Sequence, residues 1–491
     1  MFEAAELGHT VDKKTYDRKV GKLRTDLLAA QTALLEGAKF PVVIVIGGVD
    51  GAGKGETVNL LNAWMDPRYI ATWAMGIPTP DERAHPPYYR YWRALPPRGK
   101  LGIFFGSWHS WPIIERAYGD IDGKAMDQRL EEIVRFERML TDEGALLLKF
   151  WFHLSKQQQK DRLRALEKNK HTRWRVTPTD WKHFELYDKF RKVSEHALLR
   201  TSTGNAPWTV VEGADARYRN LTVGRTILDE LKTRLAGEAP PPKAAPPVKR
   251  PVDGKNVLAA LDLRKKKISE RHYDNQLEDL QGRLNLATRH ARFNKIASVI
   301  VFEGSDAAGK GGAIRRITGA LDARRYRVVP IAAPTDEERA QPYLWRFWRH
   351  IPGRGMMTVF DRSWYGRVLV ERVEGFCAGP DWMRAYNEIN DFEEQLSSHR
   401  IVLTKFWLQI DPEEQLRRFK RRQRTGFLSH KITPEDWRNR SKWDQYEVAA
   451  SDMIERTSVA HAPWTVVPAN DKLSARLAIL RTLCERLEAA L

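Results

Sequence analysis

At 491 residues the chain exceeds the roughly 100–200 residues at which one core stops growing, so two domains are the starting expectation. Its 82 Lys and Arg against 63 Asp and Glu leave a net charge of +19, which points to a polyanionic partner: nucleic acid, a charged membrane surface or a polyphosphate chain. The 42% hydrophobic content supports buried cores, no apolar run approaches the ~20 residues of a membrane span, and two distant cysteines, Cys377 and Cys484, argue against a disulfide framework or zinc and read as buried thiols.

The opening MFEAAELGHTVDKK carries acidic residues and no apolar core of signal-peptide length, which assigns the chain to the cytoplasm. A leading helix is expected over Lys13–Glu36. The apolar run in PVVIVIGGVDGAGKG follows as a strand that ends in a glycine-rich loop, with Asp50, Gly53 and Lys54 as candidate phosphate contacts. Residues Leu235–Lys255, rich in Pro and Ala, form an extended spacer. The expected domains are therefore 1–235 and 256–491, with a linker over 236–255.

Beyond the linker a second leading helix is expected over Ile268–Asn294, and the strand–loop text returns as ASVIVFEGSDAAGKG. Lys54 and Lys310 stand 256 positions apart, and the same offset joins Trp92 with Trp348, Arg93 with Arg349, Glu115 with Glu371, Lys149 with Lys405, Trp181 with Trp437, and Trp208 with Trp464. A duplicated domain explains this, with a period too long for a solenoid. The repeated tryptophans read as packing groups.

In the second copy strands are expected at Ser298–Phe302, Tyr326–Ile331, Met357–Phe360, Ile401–Ile410 and Trp464–Val467. Helices are expected at Gly312–Leu321, Trp382–Leu396, Glu413–Arg422 and Lys442–Glu455. The alternation predicts an α/β fold: two tandem P-loop kinase-like domains, each a mainly parallel sheet flanked by helices with a helical lid.

The loop GSDAAGKG follows a strand and opens a helix. Gly304, Ala308, Gly309 and Gly311 belong to the backbone that would converge on phosphate, and Lys310 would neutralise the transferring group. Gly311, like Gly55, stands where a P-loop usually has a magnesium-binding Ser or Thr. Asp306 in the loop and Asp361 in MTVFDRSWYGR are the replacement candidates, for magnesium or manganese. Arg362, Arg367 and Arg372 lie close by in sequence as candidate phosphate clamps. The basic stretch LRRFKRRQRTGFLSHK, with Arg418, Arg421 and Arg422, is the candidate lid.

The first copy has Phe105 for Asp361, Gly106 for Arg362 and Trp111 for Arg367. Its metal-binding carboxylate is gone, so it reads as a degenerate copy and the second as the catalyst.

With GSDAAGKGG, DRSWYGR and ERTSVAHAPWTVVPANDK in that order, each half resembles a family-2 polyphosphate kinase, and the tandem resembles the two-domain type. The resemblance implies a magnesium-dependent transfer of the terminal phosphoryl of polyphosphate to AMP, giving ADP, in a homo-oligomer. It places Walker A roles on Asp306, Gly309 and Lys310 and Walker B roles on Asp361 and Arg362. The competing readings are polyphosphate acting on ADP, an ATP-dependent nucleotide kinase, a polyanion-binding scaffold, and a nucleic-acid-binding ATPase. No helix-turn-helix, zinc-finger or RRM signature supports the last, so neither nucleic acid nor membrane is expected as a partner.

Overall fold

The structure, a computed structural model, describes residues 2–237, 257–258, 260–263, 268–426 and 432–491. It contains two five-stranded sheets in which every paired strand is parallel. The first holds β1 (Val42–Gly48), β2 (Ile70–Ala74), β3 (Leu101–Phe105), β4 (Leu146–His153) and β5 (Trp208–Glu212), in the order β2-β3-β1-β4-β5. The second holds β6 (Ala297–Gly304), β7 (Tyr326–Pro330), β8 (Met357–Asp361), β9 (Ile401–Gln409) and β10 (Trp464–Pro468), in the equivalent order β7-β8-β6-β9-β10. Helices cover both faces, as a parallel sheet requires.

Two compact units contain these sheets: Met1–Pro78, Tyr88–Pro241 and Pro334–Trp345 make one, and Thr79–Pro87, Pro242–Ala333 and Arg346–Leu491 the other. Of the expected linker, all but Ala236 and Gly237 lies outside the described residues. Among the described residues no helix is long and apolar enough to cross a membrane.

All five strands expected in the second copy form, within two residues at each end. The expected helices form as well, at Lys310–Thr318, Gly379–Ser398, Pro412–Arg424 and Trp443–Thr457. The first of these starts earlier than its apolar spacing implies, because the loop lysine already sits in its first turn. The second leading helix runs over Glu270–Arg289, capped by the Ser269 side chain, and gives way to a 3-10 turn at Ala291–Lys295.

The central strand β6 is buried from Ala297 to Glu303. That is the pattern of a strand covered on both faces, and it brings Phe302 into register with Asp361 of β8. The chain visits one side of β6 and then the other, so the crevice at the strands' carboxyl ends opens at this switch point. Trp348 and Trp364 pack on Phe392 with ring centroids 4.9 Å apart in each case, as the packing reading of the repeated tryptophans expects. Cys484 is buried, but Cys377 is only half-buried, contrary to expectation. It sits in the turn between helices Val370–Glu374 and Gly379–Ser398, where fewer side chains cover it.

Beneath each sheet lies an ion pair with no exposure. In the second unit Lys405 Nζ donates to Glu393 Oε2 at 2.7 Å and to the Thr457 carbonyl at 2.7 Å. The other Glu393 oxygen accepts from Tyr365 Oη at 2.6 Å and Trp364 Nε1 at 3.0 Å. The first unit repeats the arrangement with Lys149, Glu137, His109 and Trp108. Burial draws the Lys405 pKa below its ordinary value against the pull of Glu393. Lys405→Met would strand a buried carboxylate and is expected to cost about 3–5 kcal/mol. In urea unfolding, Lys405→Met/Glu393→Leu should be more stable than Lys405→Met alone.

Candidate functional site

The site grows from the end of β6. Gly304 has φ 137°, and a Cβ there would collide with the Leu408 carbonyl oxygen, so glycine is required where the loop leaves the sheet. The loop then turns back through left-handed backbone at Ala307 (φ 62°) and the positive φ of Gly309 before the helix Lys310–Thr318 begins. Lys310 folds over the loop, donating to the Gly304 carbonyl at 2.7 Å and the Ser305 carbonyl at 3.3 Å. Burial lowers its pKa, with Asp306 the largest opposing influence. A phosphate in the loop would restore the missing negative charge.

Asp306 is held on both oxygens: Arg362 Nη2 donates to Oδ1 at 2.9 Å, and Asn439 Nδ2 to Oδ2 at 2.9 Å. Asp361, at the end of β8, lines the same cavity of about 370 Å³ together with Asp306, Lys310, Arg362 and Arg422. Ala308, Gly309 and Gly311 form its floor. Arg362 has φ 65°, a left-handed conformation that costs a non-glycine residue roughly 1–2 kcal/mol. In the first half Gly106 occupies this position at φ 76°, where the same turn carries little penalty. Keeping an arginine in a glycine conformation signals that its guanidinium is needed.

Arg418 does not point into this cavity. It is 3% exposed, and its guanidinium donates to the carbonyls of Ala307 (2.9 Å), Ala308 (2.8 Å), Ala469 (2.6 Å) and Asn470 (3.0 Å) and to Glu414 (2.5 Å). This arginine braces the loop from behind. Arg367 pairs with Glu371 at 2.8 Å. Arg372 pairs with Asp452 at 2.8 Å, donates to Tyr386 Oη at 3.0 Å and lies over the Trp382 ring. Neither is among the residues lining the cavity, so both depart from the expected clamp; each is spent on its own neighbourhood.

Arg421 and Arg422 do reach a pocket. A second cavity, of about 210 Å³, shares Ala307, Ala308, Gly309 and Gly312 with the first, so the loop is a wall between the two. Its basic lining comes from Arg315, Arg418, Arg421, Arg422, Lys472 and Arg476. Burial, and after it the field of Arg418 and Arg421, lowers the Lys472 pKa to about 8. Residues 427–431 of the expected lid lie outside the described residues. The described part is the helix Pro412–Arg424, started by Asp411 at its N-cap.

Four groups at this site were not singled out from sequence: Glu303, Asn439, Lys472 and Arg476. Glu303 is 5% exposed, accepts from Ser363 Oγ at 2.8 Å, and has its pKa raised by burial. The signal was in the duplication, since the first half has Gly47, His183, Ala216 and Asn220 at these positions.

The first half's loop is closed on itself. Lys54 donates to the Gly48 carbonyl and to Asp50 Oδ1 at 3.2 Å, and Asp50 Oδ2 lies 2.7 Å from His183 Nδ1. Burial opposes ionisation of Asp50, yet Lys54 and His183 hold its pKa well below the usual carboxylate range. Gly53 abuts the buried Arg219, which donates to the Ala52 and Gly213 carbonyls and to Glu56. Glu56 also pairs with Arg162 and Arg175.

A hard dication such as magnesium is bound through one or two carboxylates, its remaining positions filled by water and substrate phosphate. Asp306 and Asp361 fit that mode. Among the described residues no group of three or more His, Cys, Asp or Glu could hold a metal alone.

The chain matches the family model described as polyphosphate kinase 2 twice, over residues 10–238 and 267–491. It is 56% identical to the polyphosphate:AMP phosphotransferase of Pseudomonas aeruginosa over 100% of this chain and 99% of that one. To the polyphosphate:AMP phosphotransferase of Pseudomonas syringae pv. tomato it is 52% identical, again over 100% and 99%. A crystal structure from Pseudomonas aeruginosa described as a polyphosphate kinase 2 superposes with a TM-score of 0.91 at 55% identity, covering 100% of this chain and 99% of that chain.

Two variants test the backbone argument. Both Arg362→Gly and Arg362→Ala lose the Asp306 contact, but only alanine keeps the left-handed penalty. Arg362→Gly is expected to be the more stable by about 1 kcal/mol in urea unfolding, and the opposite order would remove the strain from the account.

Proposed function

Both halves of this chain belong to the polyphosphate kinase 2 family, and from that premise we propose that it transfers the terminal phosphoryl group of inorganic polyphosphate to AMP, forming ADP, at the second half's P-loop. The observation that carries the assignment to the second half is the cavity joining Asp306, Lys310, Asp361 and Arg362, with a basic cavity on the other side of the same loop.

The basic cavity suits the body of a polyphosphate chain, where Arg421, Arg422, Lys472 and Arg476 balance its charge. The terminal phosphoryl group then lies over the loop, with backbone N–H groups and the helix N-terminus directed at its oxygens. An AMP phosphate oxygen attacks that phosphorus in line. One P–O bond forms, the P–O–P anhydride bond to the chain breaks, and the shortened polyphosphate leaves with the bonding electrons. Lys310 and Arg362 neutralise oxygens whose charge rearranges in the transition state, in a site already organised to receive it. Asp306 and Asp361 would hold a magnesium or manganese ion, which when bound supplies charge neutralisation and alignment of phosphate oxygens. Among the described residues no histidine lines the cavity, in keeping with direct transfer and no phosphoenzyme.

The first half has Phe105 and Gly106 for Asp361 and Arg362, and Asn59, Ala165, Leu166, Ala216 and Asn220 for Arg315, Arg421, Arg422, Lys472 and Arg476. We read it as a non-catalytic copy.

Purified protein with magnesium, AMP and polyphosphate is expected to yield ADP, and no ADP under those conditions would refute the assignment. Lys310→Ala should lower kcat/KM for polyphosphate by about 100- to 1,000-fold, whereas Lys54→Ala should leave it within about twofold, since no transition-state contact is lost. Equal losses would sink the division of labour. Because Lys472 discharges near pH 8, KM for polyphosphate should rise as pH increases from 7 to 9. Lys472→Met should raise KM at pH 7 and flatten that rise.

A further inference from the structure

Asp306 is tied into a hydrogen-bonded network that extends well beyond the loop. Asn439, whose Nδ2 donates to Asp306 Oδ2, lies on the helix Pro434–Ser441, and its Oδ1 is 3.2 Å from the hydroxyl of Tyr446 on the next helix, Trp443–Thr457. Tyr446 Oη is also 3.3 Å from Glu374 Oε1, at the end of the helix Val370–Glu374. The Glu374 side chain is 4% exposed, and its other oxygen lies 2.9 Å from Lys442 Nζ and 3.2 Å from Arg438 Nε. Glu374, Tyr446 and Asn439 thus tie the loop carboxylate to three helices.

The chemistry of these groups fixes the sense of each contact. An ionised Asp306 only accepts, so the Asn439 amide turns its NH2 to the carboxylate and its oxygen to Tyr446. The reverse orientation would set two acceptors against each other. Glu374, held by two cations, also only accepts, so the single proton of Tyr446 lies between two acceptors. That proton stays on the phenol, because burial, and after it the field of Glu374, raises the Tyr446 pKa.

The result at Asp306 is one donor on each oxygen, Arg362 on Oδ1 and Asn439 on Oδ2. A carboxylate offers about four lone-pair sites, so each oxygen keeps one for a cation. Lys310 is meanwhile held on the Gly304 and Ser305 carbonyls.

The first half has none of this network. Tyr118, Lys182, His183, Leu186 and Phe190 stand where Glu374, Arg438, Asn439, Lys442 and Tyr446 are. The rings of Tyr118, His183 and Phe190 pack edge to face instead, with centroids 6.0, 6.1 and 5.3 Å apart. Asp50 is there taken up by Lys54 and His183. The network accompanies the loop that has both Asp306 and Asp361, and is missing beside the loop that has Asp50 alone.

We propose that Asn439 is the positioning residue of Asp306, and that Tyr446, anchored on Glu374, holds its amide in the donating orientation, so that this network sets how tightly the transfer cavity holds a divalent cation. Groups hydrogen-bonded to a metal-binding carboxylate orient it, and their loss lowers metal affinity about 10- to 100-fold. The proposal rests on the cation-binding role given to Asp306 above, and not on which phosphoryl donor or acceptor is used.

Manganese binding to the full chain, followed by the electron paramagnetic resonance signal of free Mn2+ without AMP or polyphosphate, tests it apart from turnover. The site is identified as the one that Asp306→Asn abolishes. Asn439→Leu, of similar shape but without a donor, is expected to weaken that site about 10- to 100-fold. Tyr446→Phe removes one hydroxyl and should weaken it about two- to tenfold, the equivalent of one hydrogen bond. In the Asn439→Leu chain, Tyr446→Phe should have no further effect, because a hydroxyl that only holds an amide has nothing left to hold. A merely loosened fold would add the two losses. Unchanged manganese affinity in Asn439→Leu, a full further loss from Tyr446→Phe in that background, or no manganese site removed by Asp306→Asn would each overturn the proposal. Should Asn439→Leu not fold, unchanged affinity in Tyr446→Phe alone overturns it. A chain that shows these shifts yet makes no ADP would refute the assigned reaction and leave the positioning network standing.

Discussion

The buried pair of Lys405 and Glu393 is the constraint on which the second half's chemistry depends. Its carboxylate receives Trp364 and Tyr365, which follow Asp361 and Arg362 across Ser363. The turn after β8 is thereby tied to helix Gly379–Ser398 below, and the Arg362 amide is tied to the Phe302 carbonyl beside it at 3.0 Å. A buried ion pair contributes little net stability. Its value lies in geometry, because a misplaced ion pair in a low dielectric is far costlier than a misplaced hydrocarbon. The first half retains the pair, so it keeps the scaffold for the turn although Phe105 and Gly106 stand in place of Asp361 and Arg362.

The halves differ at the carboxyl ends of β3 and β8, where Phe105 and Gly106 stand opposite Asp361 and Arg362. The sheets share their order, and Asp215 and Asp471 cap equivalent helices with the same hydrogen bond. Charge beside the loop differs. Where the second half lines the cavity beside its loop with Arg421, Arg422, Lys472 and Arg476, the first half has Arg219 and Glu56 against its own loop.

Much of this organisation was legible in the amino-acid text because the duplication makes each half a control for the other. Strand positions followed from apolar runs bounded by turns, and the loop followed from its glycine spacing. Asp306, Lys310, Asp361 and Arg362 were found because they lie beside that loop in sequence or at a strand end. The bracing role of Arg418 was hidden because a basic run looks the same whether an arginine faces solvent or four carbonyls; only its depth decides. The partners of Arg367 and Arg372 were hidden for a related reason, since nearness in sequence to Asp361 does not say which neighbours a short helix turns them towards. Glu303 was overlooked as an unremarked strand residue, and Lys472 and Arg476 come from a helix that reads as plain amphipathic text.

The loop is one wall with a cavity on each side. The two cavities therefore cannot be adjusted separately, since a change at Ala307, Ala308 or Gly309 alters both. One short loop thus couples two neighbouring spaces, and no single substitution in those three residues can be confined to one of them.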